Sequence, residues 1–484
     1  MDQQTPKAGF HRSLGLLDAT MLVAGSMIGS GIFIVSADMA RTVGSSGWLL
    51  FLWIISGIIT VMAALSFGEL AGMMPKAGGQ FVYIQRAYGN LVSFLYGWSV
   101  FMVIQTGVIA AVAVAFAKFT AVFFPIFSPD VIVLQAGDFT LSSAQLLAIG
   151  IIFFITYVNS RGIETGKTVQ LIFTVSKLLA LFLLIVLGLA IGLQGGWLQQ
   201  NFTNAWDAQM LVKKDGAWIS SSISGIALLL ALGTAVIGSL FSSDAWNNVT
   251  FIAGEIKSPQ KNIPRSLLLG TGIVTLLYVL SNVSFLALLP LKGDPAATNV
   301  IGQGIQFAGG GTDRVGTAAA SVIFGNIAVY IMAALIMIST FGCNNGIVLS
   351  GARLYYAMAQ EKLFFKRAGK LNRKGVPEFS LWLQACWASV LCLSGTYSDL
   401  LDYTTFASLL FYIVTIGGLF ILRRKEPDAE RPYKVFAYPV MPLLYILLAG
   451  TICVILLITK PWNTWSGLGI VLLGVPFYYL VRRR

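Results

Sequence analysis

Apolar residues fill long stretches of this chain, and short polar connections separate them. About twelve stretches come close to the roughly 20 residues that cross the hydrocarbon core of a bilayer as a helix. Helices are the only plausible crossing elements, because the sequence lacks the alternating ten-residue segments of a transmembrane barrel. The predicted spans are residues 16–40, 48–73, 90–124, 142–159, 166–193, 225–254, 265–290, 318–347, 378–397, 400–422, 438–459 and 463–481.

The first span is interrupted by a run of small residues, GSMIGSGIF at 25–33. Each of its three glycines costs about 1 kcal/mol relative to alanine in a helix interior, so the helix is weakest there. Gly25 and Gly29 are four residues apart, which is also the spacing of a packing face between membrane helices. Taken alone, the run is better explained by helix packing than by a functional break.

The sixth span contains a more polar run, FSSDAWNN at 241–248. Asp244 stands eleven residues before Glu255, which at the helical rise is roughly 16 Å from the end of the span, near mid-membrane. An aspartate at this depth costs several kcal/mol unless it is paired or wetted, and non-helical backbone is tolerated there only inside protein or beside a cavity. Both interruptions therefore indicate a cavity.

The first and sixth spans hold corresponding positions in two five-span halves of opposite orientation, the layout of an inverted-repeat transporter. In the first span, a second half-helix begins near 29–31, and its free N–H groups and positive dipole end suit a carboxylate. In the sixth span, the first half ends near Phe241, where unpaired carbonyls suit an ammonium group. Together these ends predict a site for a zwitterion, an α-amino acid.

Composition agrees with a membrane protein, since 56% of the 484 residues are hydrophobic and 11% are charged. Of the 32 Lys and Arg residues, 24 fall on one side of the predicted spans and six on the other. This asymmetry predicts a cell-membrane protein with both termini in the cytoplasm. It also explains the net charge of +12 as topology, so the expected partner of the basic loops is the lipid bilayer and no nucleic acid.

Few residues suit catalysis or metal binding. Cys343, Cys386, Cys392 and Cys453 have no CxxC spacing, and the single histidine, His11, precedes the first span. We therefore predict no disulfide framework, metal, cofactor or enzymatic activity. An ion channel is an alternative class, but no repeated filter-like motif is visible.

Five blocks of sequence carry a family resemblance: GSMIGSGIF at 25–33, PKAGGQFVYI at 75–84, FTVSKLLAL at 173–181, WNNVTFIAGEIKSPQKNIPRSL at 246–267 and STFGCNNGIVLSGARLYYA at 339–357. With these blocks the chain resembles an amino acid permease of the amino acid/polyamine/organocation superfamily. It is most similar to the L-amino acid transporter (LAT) type exchangers. The resemblance implies an all-α fold with a LeuT-type 5+5 inverted repeat, broken helices 1 and 6, and two further C-terminal helices.

The organisation implied by the resemblance has five parts. They are a cytoplasmic segment at 1–15, a first repeat at 16–193, an extracellular loop at 194–224, a second repeat at 225–422, and two helices with a basic cytoplasmic C-terminus at 423–484. The implied function is sodium-independent transport of L-amino acids by alternating access. Exchange of neutral amino acids is expected, cationic ones are left open, and proton-coupled symport is the alternative.

The resemblance also implies how the substrate is held. The implied carboxylate contacts are the backbone groups of Gly29, Ser30 and Gly31. The implied amino-group contacts are the carbonyls of Met27, Phe241 and Asp244, with the Phe241 ring as an outer lid. Further predicted contacts lie beside the two breaks and are Ser26, Ser242, Ser243, Trp246 and Asn247.

The second break departs from the family pattern. The family usually has Phe-Ala-Tyr-Gly-Gly-Trp where this chain has Phe-Ser-Ser-Asp-Ala-Trp at 241–246. Two glycines beside the substrate side chain are thereby replaced. Asp244 is expected to pair with a cationic side chain or to narrow the pocket for small substrates. The alternative is that Asp244 caps the second half-helix of the span.

Lys177 stands ten residues after Lys167, about 15 Å into the fifth span, too deep to reach the membrane surface easily. A functional role is favoured over a buried ion pair. By the resemblance, Lys177 matches a lysine whose ammonium stands where sodium-coupled relatives hold an ion, which implies sodium independence. A buried lysine can also titrate, so proton coupling and obligatory exchange both remain open.

Other polar residues are interpreted structurally. Glu69, Glu255 and Arg353 are predicted to form ion pairs near the inner ends of their spans. Asn344 and Asn345 have equal chances of lining the cavity and of bonding between helices. Eukaryotic exchangers of the LAT type join a glycoprotein through a cysteine in the loop after span 3. The loop at 125–141 contains no cysteine, so no disulfide-linked ancillary subunit is expected.

Overall fold

A computed structural model of the chain describes residues 12–137, 139–214, 217–309, 314–393 and 397–482. Most of the predicted segment 1–15, including His11, and the last two arginines lie outside these residues. The α-helices are α1 Leu16–Met27, α2 Val35–Val43, α3 Ser46–Met73, α4 Gln80–Tyr88, α5 Asn90–Ser99, α6 Gln105–Thr120, α7 Ser143–Ser160, α8 Ile163–Gly192, α9 Trp197–Phe202, α10 Gly225–Ser242, α11 Asn248–Phe251, α12 Pro259–Leu288, α13 Val300–Gln303, α14 Val315–Phe324, α15 Ala328–Gln360, α16 Glu378–Leu391, α17 Tyr397–Lys425, α18 Val440–Thr459 and α19 Pro461–Arg482.

Shorter elements complete the described chain. A π-helical turn, Val100–Ile104, joins α5 to α6. The 3₁₀ turns are Gly31–Phe33, Pro125–Phe127, Ala253–Glu255, Gly325–Ile327 and Lys366–Gly369. Two antiparallel hairpins occupy the predicted loops after spans 3 and 5, formed by β1 Ile132–Ala136 with β2 Phe139–Ser142 and by β3 Gln209–Lys214 with β4 Ala217–Ser222.

Ten helical stretches among the described residues are long and apolar enough to cross a membrane. They correspond to every predicted span except the first and the ninth. The first contains a shorter apolar helix, α1, because the span is broken, and the ninth corresponds to α16, which has 14 residues. The predicted all-α membrane architecture is confirmed, while the boundaries of the two repeats stay a prediction.

The largest departure from a predicted boundary is at the end of the eighth span. The eighth span was expected to end at 347, but α15 continues to Gln360. The charged residue that suggested an end, Arg353, is fully buried and donates from Nε to Glu255 Oε1 at 2.9 Å. Because the charge is paired inside the protein, the helix continues past it.

The long helices form two packed groups. In one group, α12 packs along α1 and α3, and α10 packs on α2 and α3. In the other, α6, α7, α15 and α16 contact one another. Helix α8 contacts both groups, and so does α17. The broken first and sixth spans belong to the first group, and the cavity described below lies between them and the second.

Both predicted interruptions are present. Helix α1 ends at Met27, Ile28 is extended, and the 3₁₀ turn that leads into α2 starts at Gly31. Helix α10 ends at Ser242, and the chain is non-helical until α11 starts at Asn248. Each break leaves backbone groups without helical partners in the middle of the bundle.

Candidate functional site

The two breaks line one cavity. The chain segments that form it are far apart in sequence, and α6 and α15 complete its wall. Its lining residues are Ser26, Met27, Gly29, Ser30, Gly31, Val108, Val112, Phe241, Ser242, Asp244, Ala245 and Cys343. Eight of the eleven predicted substrate contacts therefore meet around one space, which we call the central cavity.

Small residues allow this close approach. A Cβ atom at Gly31 would lie 2.1 Å from the Oγ of Ser242, so the two breaks touch directly. Gly25 is different, because a Cβ atom there would lie 2.2 Å from side-chain atoms of Gln170 and Thr174 on α8. The packing interpretation of the glycine run is therefore right for Gly25, and the cavity interpretation is right for Gly29 and Gly31.

The Lys177 ammonium lies at the end of the first half-helix. Its Nζ donates to the carbonyl oxygens of Gly25 at 2.5 Å, Ile28 at 2.6 Å and Ser339 at 3.3 Å. The side chain is only 3% exposed, and no ion pair involves Lys177 within the described part of the chain. The lysine therefore supplies positive charge to the negative end of the α1 dipole.

Two residues that the sequence did not single out also hold the breaks. The Ser339 hydroxyl donates to the Ile28 and Gly29 carbonyls, at 3.1 and 3.0 Å. The Tyr278 hydroxyl lies 3.2 Å from the Met27 carbonyl and 3.0 Å from that of Ser242, so it joins the ends of α1 and α10. A tyrosine in the middle of an apolar span needs a hydrogen-bond partner, and this signal could have identified Tyr278.

The Asp244 carboxylate has a side-chain partner from α17. The Tyr412 hydroxyl donates to its Oδ1 at 2.5 Å. Asp244 lines the central cavity, and it also lines two adjoining cavities. The predicted capping role is wrong, because the N-cap of α11 is Asn247 and no side chain caps that helix. The carboxylate is therefore placed at the cavity wall and not at the half-helix end.

Three predicted contacts lie outside the central cavity. Ser243 and Trp246 line a neighbouring cavity, and the Trp246 ring packs 4.8 Å from Phe67 and 5.1 Å from Tyr412, measured between ring centroids. The Asn247 Nδ2 donates to Gln80 Oε1 at 2.9 Å. These side chains stabilise the second break through contacts outside the central cavity.

The other charged and polar candidates have structural partners. Glu69 is paired with Arg423 at 2.6 Å, as the ion-pair interpretation predicted, and Glu255 is paired with Arg353. Asn345 lies between helices, with its Nδ2 3.0 Å from Gln170 Oε1. The Asn344 Nδ2 likewise donates to a backbone carbonyl of α6. Interhelical bonding is therefore the observed role of both asparagines.

Comparison with known proteins agrees with this arrangement. The sequence model of the amino acid permease family matches residues 14–477. The chain is similar to the b(0,+)-type amino acid transporter 1 of Homo sapiens, with 29% identity over 99% of this chain and 90% of the relative. It is 30% identical to the large neutral amino acids transporter small subunit 2 of Oryctolagus cuniculus, over 97% of this chain and 80% of the relative. It is 28% identical to the Asc-type amino acid transporter 1 of Mus musculus, over 98% and 82%. The match covers nearly the whole chain, both breaks included, and the chain therefore belongs to the amino acid permease family.

Proposed function

We propose that this protein carries L-amino acids across the membrane by alternating access, as a sodium-independent exchanger. The observation that carries the proposal is the central cavity, in which the ends of two broken helices face each other. The backbone at 29–31 begins a helical segment and suits a carboxylate, while the carbonyls at the end of α10 suit an ammonium group. All α-amino acids share these two groups.

Sodium independence rests on Lys177. Its ammonium already lies among three backbone carbonyls at the first break. Carbonyl oxygens at an unwound helix are the ligands that coordinate sodium in transporters of this layout. Because the lysine supplies the positive charge itself, transport has no need of a metal cation there.

Substrate selection is assigned to the second break. Asp244 places a carboxylate on the cavity wall where the family pattern has glycine. A substrate side chain with an N–H or O–H group, cationic or neutral, can donate to it. We propose that neutral amino acids are carried and that side chains with such a donor are favoured over aliphatic ones.

The charge distribution supports a placement in the cell membrane with both termini in the cytoplasm. In this orientation the paired residues Glu69 and Glu255 lie at the cytoplasmic ends of their spans. The loop at 125–141 has no cysteine, so we propose that the protein works without a disulfide-linked ancillary subunit. We also retain the two repeats at 16–193 and 225–422 as part of the proposal.

Uptake into proteoliposomes tests the proposal. A panel of labelled amino acids is supplied outside, with and without unlabelled amino acid inside, with sodium or choline, and with or without a pH gradient. Exchange requires that uptake depend on internal amino acid and be unaffected by sodium. Uptake that follows the pH gradient without internal substrate would instead support proton-coupled symport, and channel-like flux without saturation would contradict both.

The role of Asp244 is tested by two substitutions. Asp244→Gly removes the carboxylate and its volume, and Asp244→Asn removes only the charge. We expect both variants to lower the uptake of substrates whose side chain carries an N–H or O–H donor, while leucine and alanine uptake changes less than about threefold. Equal loss of all substrates would show that Asp244 supports the fold of the break and does not select the side chain.

A further inference from the structure

A second cavity adjoins the central cavity. The two share three lining residues, Val108, Asp244 and Ala245. We call this second space the side chamber. A substrate whose carboxylate and ammonium groups are held at the two breaks would have the side chamber directly beside it. Besides Asp244, the polar side chains on its wall are Gln80, Tyr96, Gln105, Asn247, Asn248, Ser408 and Tyr412.

Several of these polar groups are already satisfied inside the protein. Gln80 Oε1 accepts from Asn247 Nδ2 and from the Tyr96 hydroxyl, both at 2.9 Å, and its Nε2 donates to Thr415 Oγ1 at 2.9 Å. Gln105 Nε2 donates to the Ile347 carbonyl at 2.7 Å. These glutamines therefore hold α4, α6, α15 and α17 together and shape the wall.

Asn248 is an exception. It is 2% exposed, and its Nδ2 has no hydrogen-bond partner among the described residues. A buried donor left unpaired costs about 1–3 kcal/mol, so such groups in native proteins usually have a function. On the same wall, Asp244 receives hydrogen bonds from the Tyr412 hydroxyl, the Ala245 backbone N–H and the Ser408 hydroxyl, and a carboxylate has about four acceptor positions. The side chamber thus offers an unused donor on Asn248 and about one remaining acceptor position on Asp244.

We propose that the side chamber holds the substrate side chain and selects one whose end group both donates and accepts a hydrogen bond, an amide or a hydroxyl. Asn248 donates to the oxygen of that group, and Asp244 accepts from its N–H or O–H. This inference rests on the proposed amino acid transport and names the substrate class of that site. Asn248 becomes a specificity-determining residue.

Other side chains fit the chamber less well for stated reasons. A lysine or ornithine ammonium has donors only and leaves the Asn248 amide unpaired. A glutamate side chain brings a second anion next to Asp244, which is unfavourable in a buried site. A methionine side chain matches glutamine in length but forms a hydrogen bond with neither Asn248 nor Asp244. It therefore binds more weakly in a buried polar site.

Labelled uptake of four amino acids of similar length tests the inference: glutamine, methionine, ornithine and glutamate. We expect glutamine to have the highest kcat/KM, about tenfold above methionine, the weight of one hydrogen bond. Absence of uptake of every amino acid in the panel would reject the proposed function. Uptake with equal values for glutamine and methionine would reject the side chamber as the side-chain site. A clear preference for ornithine would show that the Asp244 charge alone selects.

Two variants of Asn248 test its role. Asn248→Leu keeps the approximate volume and removes the amide, and we expect it to lower glutamine transport about tenfold while methionine is unchanged. Asn248→Asp replaces the donor with an acceptor and is expected to move the preference from glutamine to ornithine. A misfolded protein cannot produce that gain. Retained glutamine preference in both variants would overturn the inference.

Asn344→Leu is the matched control. Asn344 is also a buried asparagine of a membrane helix, and its Nδ2 donates to the Ile109 carbonyl at 3.2 Å. It belongs to the described wall of neither the side chamber nor the central cavity. Its replacement is expected to reduce the amount of folded protein without changing the order of the four substrates.

Discussion

The two breaks in the membrane helices are held in different ways. The first break has no charged side chain of its own, and its carbonyls are satisfied by Lys177 and Ser339 from neighbouring helices. The second break carries its own polar side chains, and Asp244 and Asn247 reach outward to Tyr412 and Gln80. The first break is therefore stabilised by groups from neighbouring helices, and the second break by its own side chains.

Because of this difference, we expect the two breaks to contact different parts of the substrate. The first break presents mainly backbone to the central cavity, and in the proposed function these backbone groups bind the carboxylate that all α-amino acids share. The second break presents side chains, which can vary without disturbing that common contact. Substitutions that disturb the first break should affect all substrates alike, whereas substitutions at the second should change their order.

The largest expected effect is that of Lys177→Met. It removes the ammonium, leaves the Gly25 carbonyl without its side-chain partner and leaves the Ile28 carbonyl with the Ser339 hydroxyl alone. Each unpaired carbonyl costs about 1–3 kcal/mol. We expect uptake of every amino acid in a proteoliposome assay to fall by more than about 100-fold, which corresponds to roughly 3 kcal/mol.

Lys118→Met serves as a control, because Lys118 is a lysine in another membrane helix, α6. It is expected to retain most of the uptake. The comparison of the two breaks would be wrong if Lys177→Met lowered the uptake of some amino acids and spared others, since Lys177 would then act on the side chain.

A smaller effect is expected at the contact between the two breaks. Gly31→Ala places a methyl group 2.1 Å from the Ser242 Oγ, so one of the two breaks must shift. Overpacking of this kind costs about 1–3 kcal/mol. We expect thermal stability in detergent to fall and uptake of all substrates to decrease about tenfold or more.

The double variant Gly31→Ala with Ser242→Gly shows whether contact is the cause. Removing the Ser242 side chain leaves its Cα as the nearest neighbour, 3.3 Å from the new methyl group, so partial recovery of stability and uptake is expected. Gly272→Ala is the control, because a Cβ atom at Gly272 in α12 meets nothing within 4 Å. Failure of the double variant to recover would mean that Gly31 is needed for its backbone conformation.

The positions of both breaks could be predicted from sequence because local composition conflicts with the surrounding pattern. Three glycines in one apolar run and an aspartate in another cannot be explained by a continuous membrane helix. The same argument identified Lys177, whose charge is too deep to reach the membrane surface. Each of these residues stands out in the sequence because its type destabilises a membrane helix at that position.

The partners of these residues were harder to predict. Ser339, Tyr278 and Tyr412 lie on α15, α12 and α17, and a serine or tyrosine in an apolar span indicates that a partner is needed but not which one. Their importance depends on which helices are neighbours, which sequence periodicity does not give. The end of α15 was missed for the same reason, since the partner of Arg353 lies 98 residues away in the chain.

The smallest predicted effect concerns Ala245, in the second break. Its φ of 65° is left-handed, a conformation that costs a non-glycine residue about 1–2 kcal/mol, and it stands at a position where the family pattern has glycine. Ala245→Gly removes that strain, but it also adds about 0.4–1 kcal/mol of backbone freedom to the unfolded chain. The expected net gain is therefore about 0.5 kcal/mol, measured as a small rise in the unfolding temperature in detergent.

Ala437→Gly separates the backbone effect from the site. Ala437 has a φ of 50°, lies exposed in the loop before α18 and belongs to neither break. If backbone strain is the only difference between alanine and glycine at these two positions, both variants should gain similar stability. Because Ala245 also lines the central cavity and the side chamber, only Ala245→Gly should enlarge the site and raise the uptake of bulkier amino acids. If only Ala245→Gly lost stability, the Ala245 methyl group would be shown to pack against the second break. The second break, unlike the first, would then depend on side chains even at the residue where its backbone is strained.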